Sequence, residues 1–95
     1  MNFEIAPKST EIQANWDDAS SYCTELDIEG KIGWRLPTKD ELNEIFESDN
    51  DYADSYYWTS TENDGCVWVQ GFANGTQGVN GKCGNYYVRA VRPIT

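Results

Sequence analysis

The sequence predicts a single α+β domain over residues 1–95, with two helices followed by a small, mainly antiparallel and twisted sheet. Apolar residues recur at helical spacing in the first half, whereas from Tyr56 onward they alternate with a period of two. The second half is also rich in Tyr, Trp, Val, Thr and Gly, which is typical of short strands joined by tight turns. A chain of 95 residues has room for one domain with one modest core.

The first helix is predicted from Asn15 to Asp27. Asn15 is a favourable N-cap residue, and the acids Asp17 and Asp18 suit the positive end of the helix dipole. The buried stripe of this helix is expected to consist of Trp16, Ala19, Tyr22, Cys23 and Leu26, which recur at roughly helical spacing.

The second helix is predicted to run to Glu47. It begins with Thr38 and Glu41, which match the S/T-x-x-E pattern of a capping box, and Pro37 fixes the direction in which the chain enters it. We expect Arg35, just before this start, to pair with a carboxylate. The apolar side of the helix should bury Leu42, Ile45 and Phe46.

The sheet is predicted from a hairpin signal and the flanking apolar runs. Asn74-Gly75 favours a two-residue type I′ turn, because both central residues of such a turn need a positive φ. Strands are therefore expected near Val67–Ala73 and Thr76–Asn80. A last strand is expected over Tyr86–Arg92, and Phe3–Ile5 is a candidate edge partner.

The hairpin makes a disulfide between Cys66 and Cys83 a specific hypothesis. A two-residue loop places Ala73 opposite Thr76, and the same register places Cys66 opposite Cys83 at a closely spaced, non-hydrogen-bonded site. An oxidising compartment would favour this bridge, and a reducing cytosol would oppose it. Cys23 is interpreted as a small core residue on the first helix.

The chain is strongly acidic, and its charge is segregated. Sixteen acids and seven bases give a net charge of −9; residues 1–64 carry −12 and residues 65–95 carry +3. Such a field repels nucleic acid and anionic membranes and attracts a basic partner toward the first two thirds of the chain. We therefore expect a protein partner, which could be a nucleic-acid-binding protein. We expect the domain itself to bind neither nucleic acid nor membranes.

The first fifteen residues contain no long apolar run that would indicate a signal peptide or a membrane-spanning helix. If this start is native, a cytoplasmic location is expected. If the domain is excised from a longer exported chain, the cell surface or a virion is expected instead.

Catalytic and metal-binding patterns are poorly represented. With no histidine in the chain, most nucleophile–base pairs and zinc sites lack a required residue, so we expect a non-enzymatic protein without a cofactor. Two acidic groups offer the hard oxygen ligands that calcium prefers, namely Asp49-Asn50-Asp51 with Asp54, and Glu62-Asn63-Asp64. Neither group forms a complete site, so no metal ligand is assigned.

A series of short motifs occurs in this order along the chain: Trp16-Asp17-Asp18-Ala19, Tyr22-Cys23, Gly33-Trp34-Arg35-Leu36-Pro37-Thr38, Glu41-Leu42, Tyr57-Trp58-Thr59-Ser60-Thr61, Trp68, Phe72, Gly75 and Tyr87-Val88-Arg89-Ala90-Val91-Arg92. Together these motifs resemble the Lcl C-terminal domain family, a bacterial and phage family. The resemblance implies a C-type-lectin-like fold and, in most members, adhesion, ligand recognition or an unassigned role. The chain is also distantly similar to the formylglycine-generating (sulfatase-modifying) enzymes, but their chemistry uses two closely spaced cysteines, and Cys66 and Cys83 stand far apart.

The candidate partner-binding site is the acidic surface of the second helix and the loop that follows it. Carboxylates spaced along a rigid helix can imitate a row of phosphates, and tyrosines add rigid contact area. The predicted site comprises Asp40, Glu44, Glu47, Asp49, Asp51, Tyr52, Asp54 and Tyr56.

Three functions remain open at this stage. The first is a non-enzymatic binding protein that engages a macromolecular partner, most simply a protein, through surface loops and the acidic helix. The second is a small phage or mobile-element inhibitor of the anti-CRISPR or anti-restriction type, acting as an acidic nucleic-acid mimic. The third is an adhesin or carbohydrate-binding module that binds a glycan.

Overall fold

A computed structural model describes residues 2–48 and 51–94 of the chain. Within these ranges the chain forms seven β-strands, two α-helices and one short 3-10 helix. The elements are β1 (Phe3–Ile5), the 3-10 helix (Lys8–Thr10), β2 (Ile12–Ala14), α1 (Trp16–Glu25), α2 (Lys39–Glu47), β3 (Tyr56–Asn63), β4 (Cys66–Gly71), β5 (Gln77–Asn80), β6 (Tyr86–Val88) and β7 (Val91–Pro93).

The strands form one five-stranded sheet in the order β2-β6-β3-β4-β5 and a separate β1-β7 pair. Among the described strands, only the β3–β6 contact, at Tyr57 and Tyr87, is parallel. The predicted α+β class with a mainly antiparallel sheet is confirmed, whereas the C-type-lectin-like assignment stays a prediction. Strand β2 was not predicted.

The two helices pack against opposite faces of the five-stranded sheet. Neighbouring residues of β3 show the alternation, because Trp58 joins the core under α1 and Tyr57 joins the core under α2. The first core contains Ala6, Ala19, Cys23, Trp34, Leu36, Trp58, Val67, Val69, Val88 and Ala90. The second core contains Phe3, Leu42, Ile45, Tyr57, Phe72 and Val91.

The first helix begins as predicted. The Asn15 side chain accepts a hydrogen bond from the Asp18 N–H at 2.9 Å, which satisfies one of the amides left open at a helix start. The helix ends at Glu25, two residues earlier than expected. The Trp16 indole donates to the carbonyl of Thr59 at 2.9 Å and so ties the helix start to the sheet.

The predicted register of the β4–β5 hairpin is wrong by two residues. Gly71 pairs with Thr76 across a four-residue loop, and only Gly75 of that loop has a positive φ. The reason is tertiary, because Phe72 leaves the strand to pack in the core under α2. Val67 therefore lies opposite Asn80, so Cys66 is not opposite Cys83, and both residues are free thiols in the structure.

The predicted last strand over residues 86–92 is divided in two. Its first half is β6 of the large sheet, and its second half is β7, which pairs with β1. Between them, the carbonyl of Ala90 accepts from the N–H of Ala6 at 2.9 Å, and Arg89 turns its side chain inward. The suggested edge role of Phe3–Ile5 is confirmed.

Candidate functional site: the acidic face of the second helix and the adjoining cleft

The start of α2 is fixed by a capping box and an ion pair. Thr38 accepts from the N–H of Glu41 at 3.1 Å, and the Glu41 carboxylate accepts from the N–H of Thr38 at 2.9 Å. Both terminal nitrogens of Arg35 donate hydrogen bonds to the same carboxylate, at 2.7 and 2.8 Å. The predicted pairing of Arg35 with a carboxylate is thus confirmed. These bonds lower the pKa of Glu41 and raise that of Arg35. The first turn of α2 is therefore held rigidly.

Asp40, Glu44 and Glu47 form the acidic face of α2. They stand at positions i, i+4 and i+7, so they share one side of the helix, and all three are exposed to solvent. The opposite side buries Leu42 and Ile45 against the sheet. The structure thus presents a row of three carboxylates along about 10 Å of helix axis.

The other predicted site residues do not join this row. Asp54 is exposed in the loop before β3, and Asp49 lies outside the described residues. Asp51 and Tyr52 turn toward Arg89 instead. Tyr56 packs on the far face of the sheet, where its ring lies 6.2 Å from that of Tyr86.

Arg89 is the buried centre of a charge network. Its side chain is only 4% exposed, and its Nε donates to the carbonyl of Ala6 at 2.8 Å. One terminal nitrogen donates to Glu11 at 3.3 Å and the other to Asp51 at 3.0 Å. Desolvation pushes the pKa of Asp51 upward, but the hydrogen bond and charge of Arg89 outweigh it, so this pKa is lowered. Arg89 therefore ties the loop after α2 to the N-terminal segment.

Two tyrosines complete the network. The Tyr57 hydroxyl donates to Glu11 at 2.7 Å and accepts from the N–H of Ala53 at 2.8 Å. The ring of Tyr52 stacks on Phe72 at 4.6 Å and faces the guanidinium of Arg89 at 4.7 Å. Burial raises the pKa of both hydroxyls, so both tyrosines stay protonated at neutral pH.

An open cleft of about 530 Å³ lies beside this network. Its wall carries both positive and negative charges, because Lys8 and Arg89 lie next to Asp51. The ammonium of Lys8 donates a hydrogen bond to the main-chain carbonyl of Asp51 at 2.7 Å. The cleft thus has a mixed polar wall rather than a field of one sign. It is lined by Ile5, Ala6, Pro7, Lys8, Asp51, Tyr52 and Arg89.

All seven basic side chains have a partner within the described part of the chain. By contrast, none of Asp40, Glu47 and Asp54 forms an ion pair with any described residue. Asp40 and Glu47 of the acidic face therefore carry charges that no ion pair within the described residues compensates. The contacts of the bases are Lys8 with Glu11, Lys31 and Arg92 with Glu4, Arg35 with Glu41, Lys39 with the ring of Trp68, Lys82 with Glu62, and Arg89 with Glu11 and Asp51.

The network of Arg89 and Glu11 was not predicted as part of the site. The sequence does carry a signal for it, because Arg89 is the single charge in the apolar run from Tyr86 to Val91. A charge inside a buried strand requires a partner of opposite sign. The identity of that partner, Glu11, depends on the strand order, which brings β2 beside β6.

The thiols and carboxylates within residues 2–48 and 51–94 form no assembled metal site. Burial raises the pKa of Cys23 to about 12, so this thiol is an unreactive core residue. In the ranges that the structure describes, no group of three or more Cys, Asp or Glu side chains is placed to hold a metal ion. Neither described α-helix has the length and apolarity needed to cross a membrane.

The family model of the Lcl C-terminal domain matches residues 4–92, from β1 to the middle of β7. No curated protein matches the chain. The match includes both helices, all seven strands at least in part, and the Arg89 network. The chain therefore belongs to the family of Lcl C-terminal domains.

Proposed function

We propose that this domain is a non-enzymatic binding protein that engages a basic protein partner through the acidic face of α2. Its membership of the Lcl C-terminal domain family supports a binding or surface-related role. The observation that carries the proposal is the division of charge: the seven bases have partners within the fold, whereas Asp40 and Glu47 have no ion-pair partner among the described residues.

The geometry of α2 supports this role. A docking surface binds more tightly when its groups are already held in place, because less conformational freedom is lost on association. The capping box and the Arg35–Glu41 pair fix the helix start, and Leu42 and Ile45 anchor it to the sheet. A partner with Lys or Arg side chains would meet an ordered row of carboxylates.

The test compares two charge-reversed variants in affinity capture. Asp40→Lys with Glu47→Lys changes the acidic face, and Glu25→Lys with Glu29→Lys makes the same change of net charge at exposed positions near the end of α1. Tagged proteins are incubated with nuclease-treated bacterial lysate, and the retained proteins are identified by mass spectrometry. We expect a protein retained by the wild type and the α1 variant to be lost by the α2 variant.

Salt provides an internal control for this comparison. Contacts between exposed charges are screened at high ionic strength, so specific retention should fall as salt rises. If the α2 variant retains the same proteins as the wild type, the acidic face is not the docking surface. If the α1 variant loses the same proteins, only net charge matters, and the proposal for α2 also fails.

The regular spacing of the acidic face favours nucleic-acid mimicry as a second candidate function. Three carboxylates along about 10 Å of helix give one charge per ~5 Å, compared with one per ~3.4 Å along a nucleic-acid strand. A mimic should compete with nucleic acid for its target. Added duplex DNA should therefore displace the captured protein; simultaneous binding of both would exclude mimicry but leave the docking proposal intact.

A further inference from the structure

Two Asn-Gly pairs stand at the ends of strand β5. Asn74-Gly75 lies in the loop before this strand, and Asn80-Gly81 begins at its last residue. In such a pair the main-chain nitrogen of the glycine can attack the side-chain carbonyl carbon of the asparagine and release ammonia. Glycine favours the attack, because it has no side chain in the way and adopts many backbone conformations. The structure separates the two pairs by how firmly it holds the reacting groups.

The Asn74-Gly75 pair is restrained at both reacting groups. The N–H of Gly75 donates to the carbonyl of Gly71 at 3.0 Å, so the attacking nitrogen is engaged. The side-chain oxygen of Asn74 accepts from the N–H and the hydroxyl of Thr76 at 3.1 and 2.6 Å. Gly75 also packs against Phe46, whose ring would lie 2.6 Å from an added Cβ. Reaction at Asn74 therefore disrupts three hydrogen bonds and a contact with α2.

The Asn80-Gly81 pair lacks these restraints. Among the residues that the structure describes, none forms a hydrogen bond with the Asn80 side chain or with the N–H of Gly81. Gly81 is exposed, and a Cβ atom built on it would meet nothing within 4 Å. The nitrogen of Gly81 can therefore turn toward the Asn80 side chain without a steric obstacle.

The restraint that remains at this pair is the end of the β4–β5 ladder. The N–H of Gly71 donates to the carbonyl of Thr76 at 2.7 Å, and bonded pairs alternate with non-bonded pairs in an antiparallel ladder. Val67 and Asn80 are therefore the last bonded pair, and Gly81 lies beyond it. Rotation of the peptide group between Asn80 and Gly81 opens one terminal bond, from the N–H of Val67. Bonds at the end of an element open more readily than those in its interior.

Solvent exposure alone predicts the opposite order of reaction. Asn74 is exposed, whereas Asn80 is half-buried. The glycine nitrogen is the attacking group, however, and it is hydrogen-bonded in Gly75 and open to solvent in Gly81. The fold therefore favours reaction at the less exposed asparagine.

We propose that Asn80 is a site of spontaneous modification in the folded protein, where it is converted to aspartate and isoaspartate. The nitrogen of Gly81 gives its proton to solvent and forms a bond to Cγ of Asn80. The bond from Cγ to Nδ2 breaks, and this nitrogen takes a proton from water and leaves as ammonia. Water then opens the resulting succinimide at one of its two carbonyl carbons. The sequence of steps needs water and hydroxide and no oxidant or reductant.

The products alter the charge and the main chain at the end of β5. Either product places a carboxylate within residues 65–95, which otherwise contain no acid. Isoaspartate also adds a methylene group to the main chain, so it should remove the last bonded pair of the ladder. The proposal does not depend on the acidic face of α2, and either proposal can fail without the other.

Peptide mapping of the wild type by mass spectrometry is the first test. The folded protein is incubated at mildly alkaline pH in water enriched in heavy oxygen, which labels every newly formed carboxylate. Because reaction at Asn80 opens two fewer hydrogen bonds than reaction at Asn74, its conversion should be at least about tenfold faster. In urea-unfolded protein the two asparagines should react at similar rates, because both precede glycine and neither is restrained.

The ratio of the two rates decides the outcome. Conversion of Asn74 that equals or exceeds that of Asn80 in the folded protein would overturn the proposal. Conversion of Asn80 that occurs in the unfolded protein but not in the folded protein would overturn it as well. A preference for Asn80 that persists in urea would show that the fold does not select it, which also contradicts the proposal.

Two alanine variants test the attacking group. Gly81→Ala adds a methyl group into open space, so the fold should persist, but the methyl group hinders the attack and should slow conversion of Asn80 several-fold. Gly78→Ala makes the same addition within β5, also into open space, and should leave the rate unchanged. Equal rates in the two variants would exclude attack by the Gly81 nitrogen. If Gly81→Ala does not fold, the comparison of Asn80 with Asn74 in the wild type remains decisive.

Discussion

The Arg89 network and the acidic face of α2 use carboxylates in opposite ways. In the network, Glu11 and Asp51 share one nearly buried guanidinium, and each carboxylate is held by a described donor. On the acidic face, Asp40 and Glu47 are exposed and have no ion-pair partner within the described residues. The sequence places these acids within one long acidic stretch, and only the fold separates them into two groups.

The difference explains where the net charge of −9 resides. The bases of the acid-free C-terminal third do not form a separate positive surface, because Lys82, Arg89 and Arg92 each contact an acid from the first two thirds. These pairs join distant segments of the chain. The remaining acids therefore dominate the surface, and the face of α2 is an ordered part of it.

The largest expected effect comes from removing the base at the centre of the network. Arg89→Met leaves the Glu11 carboxylate, which is 9% exposed, without its buried charged partner; the remaining base, Lys8, is exposed and lies 4.0 Å away. Breaking a buried ion pair in this way typically costs about 3–5 kcal/mol. We expect this loss in the free energy of unfolding, measured by urea denaturation at neutral pH.

A double variant separates the effect of losing the charge from the effect of losing the packing of the Arg89 side chain. Arg89→Met combined with Glu11→Gln removes both charges, so the double variant should recover a large part of the lost stability. If Arg89→Met alone costs less than about 1 kcal/mol, solvent compensates Glu11, and the contrast between the network and the acidic face is weaker than the structure indicates.

Substitution of Glu41 should lower the free energy of unfolding by an intermediate amount, and this amount should depend on pH. At pH 7 we expect Glu41→Gln to lose about 1 kcal/mol, because the Arg35–Glu41 pair is partly exposed and therefore screened by solvent. Since the bonds from Arg35 lower the folded-state pKa of Glu41 below its ordinary value of 4.5, the pair contributes fully above that pH. The contribution is lost as the pH falls through the lowered pKa.

The measurement is the difference in unfolding free energy between the wild type and Glu41→Gln from pH 7 to pH 2.5. This difference should shrink below about pH 4.5. The Asp40→Asn variant, which changes a carboxylate on the same helical turn as Glu41, is the control for changes in stability that low pH causes in any variant. A difference that stays constant with pH would mean that the ion pair does not stabilise the folded state.

Sequence reasoning predicted the parts of the molecule that local chemistry determines. Asn15 caps α1, and Thr38 with Glu41 caps α2, as the short-range patterns indicate. The exposure of Asp40, Glu44 and Glu47 follows from helical spacing alone. In each case the interacting residues are within a few positions of one another.

The errors arose where distant residues decide the local structure. At Gly75, an added Cβ would lie 2.6 Å from the ring of Phe46, so the turn is shaped by packing against α2 as well as by turn preference. Phe72 joins the same core, and the loop therefore has four residues instead of two. Likewise, the grouping of Asp51 and Tyr52 with the acidic face could not anticipate Arg89, which is 38 positions from Asp51 in sequence.

The smallest expected effect tests whether the acidic face carries a stability cost. Glu47 is the last residue of α2, where the helix dipole is negative, and the last turn contains no basic residue. Glu47→Gln should therefore raise the free energy of unfolding by about 0.3 kcal/mol, whereas Asp40→Asn, in the favourable first turn, should lower it by a similar amount. Paired urea titrations at low salt measure both changes, and high salt should diminish them. If both variants change the free energy of unfolding in the same direction, the helix dipole does not determine these changes. If they change it in opposite directions, Glu47 lowers the stability of the folded protein, as expected for a residue that is kept on the exposed face because it serves binding.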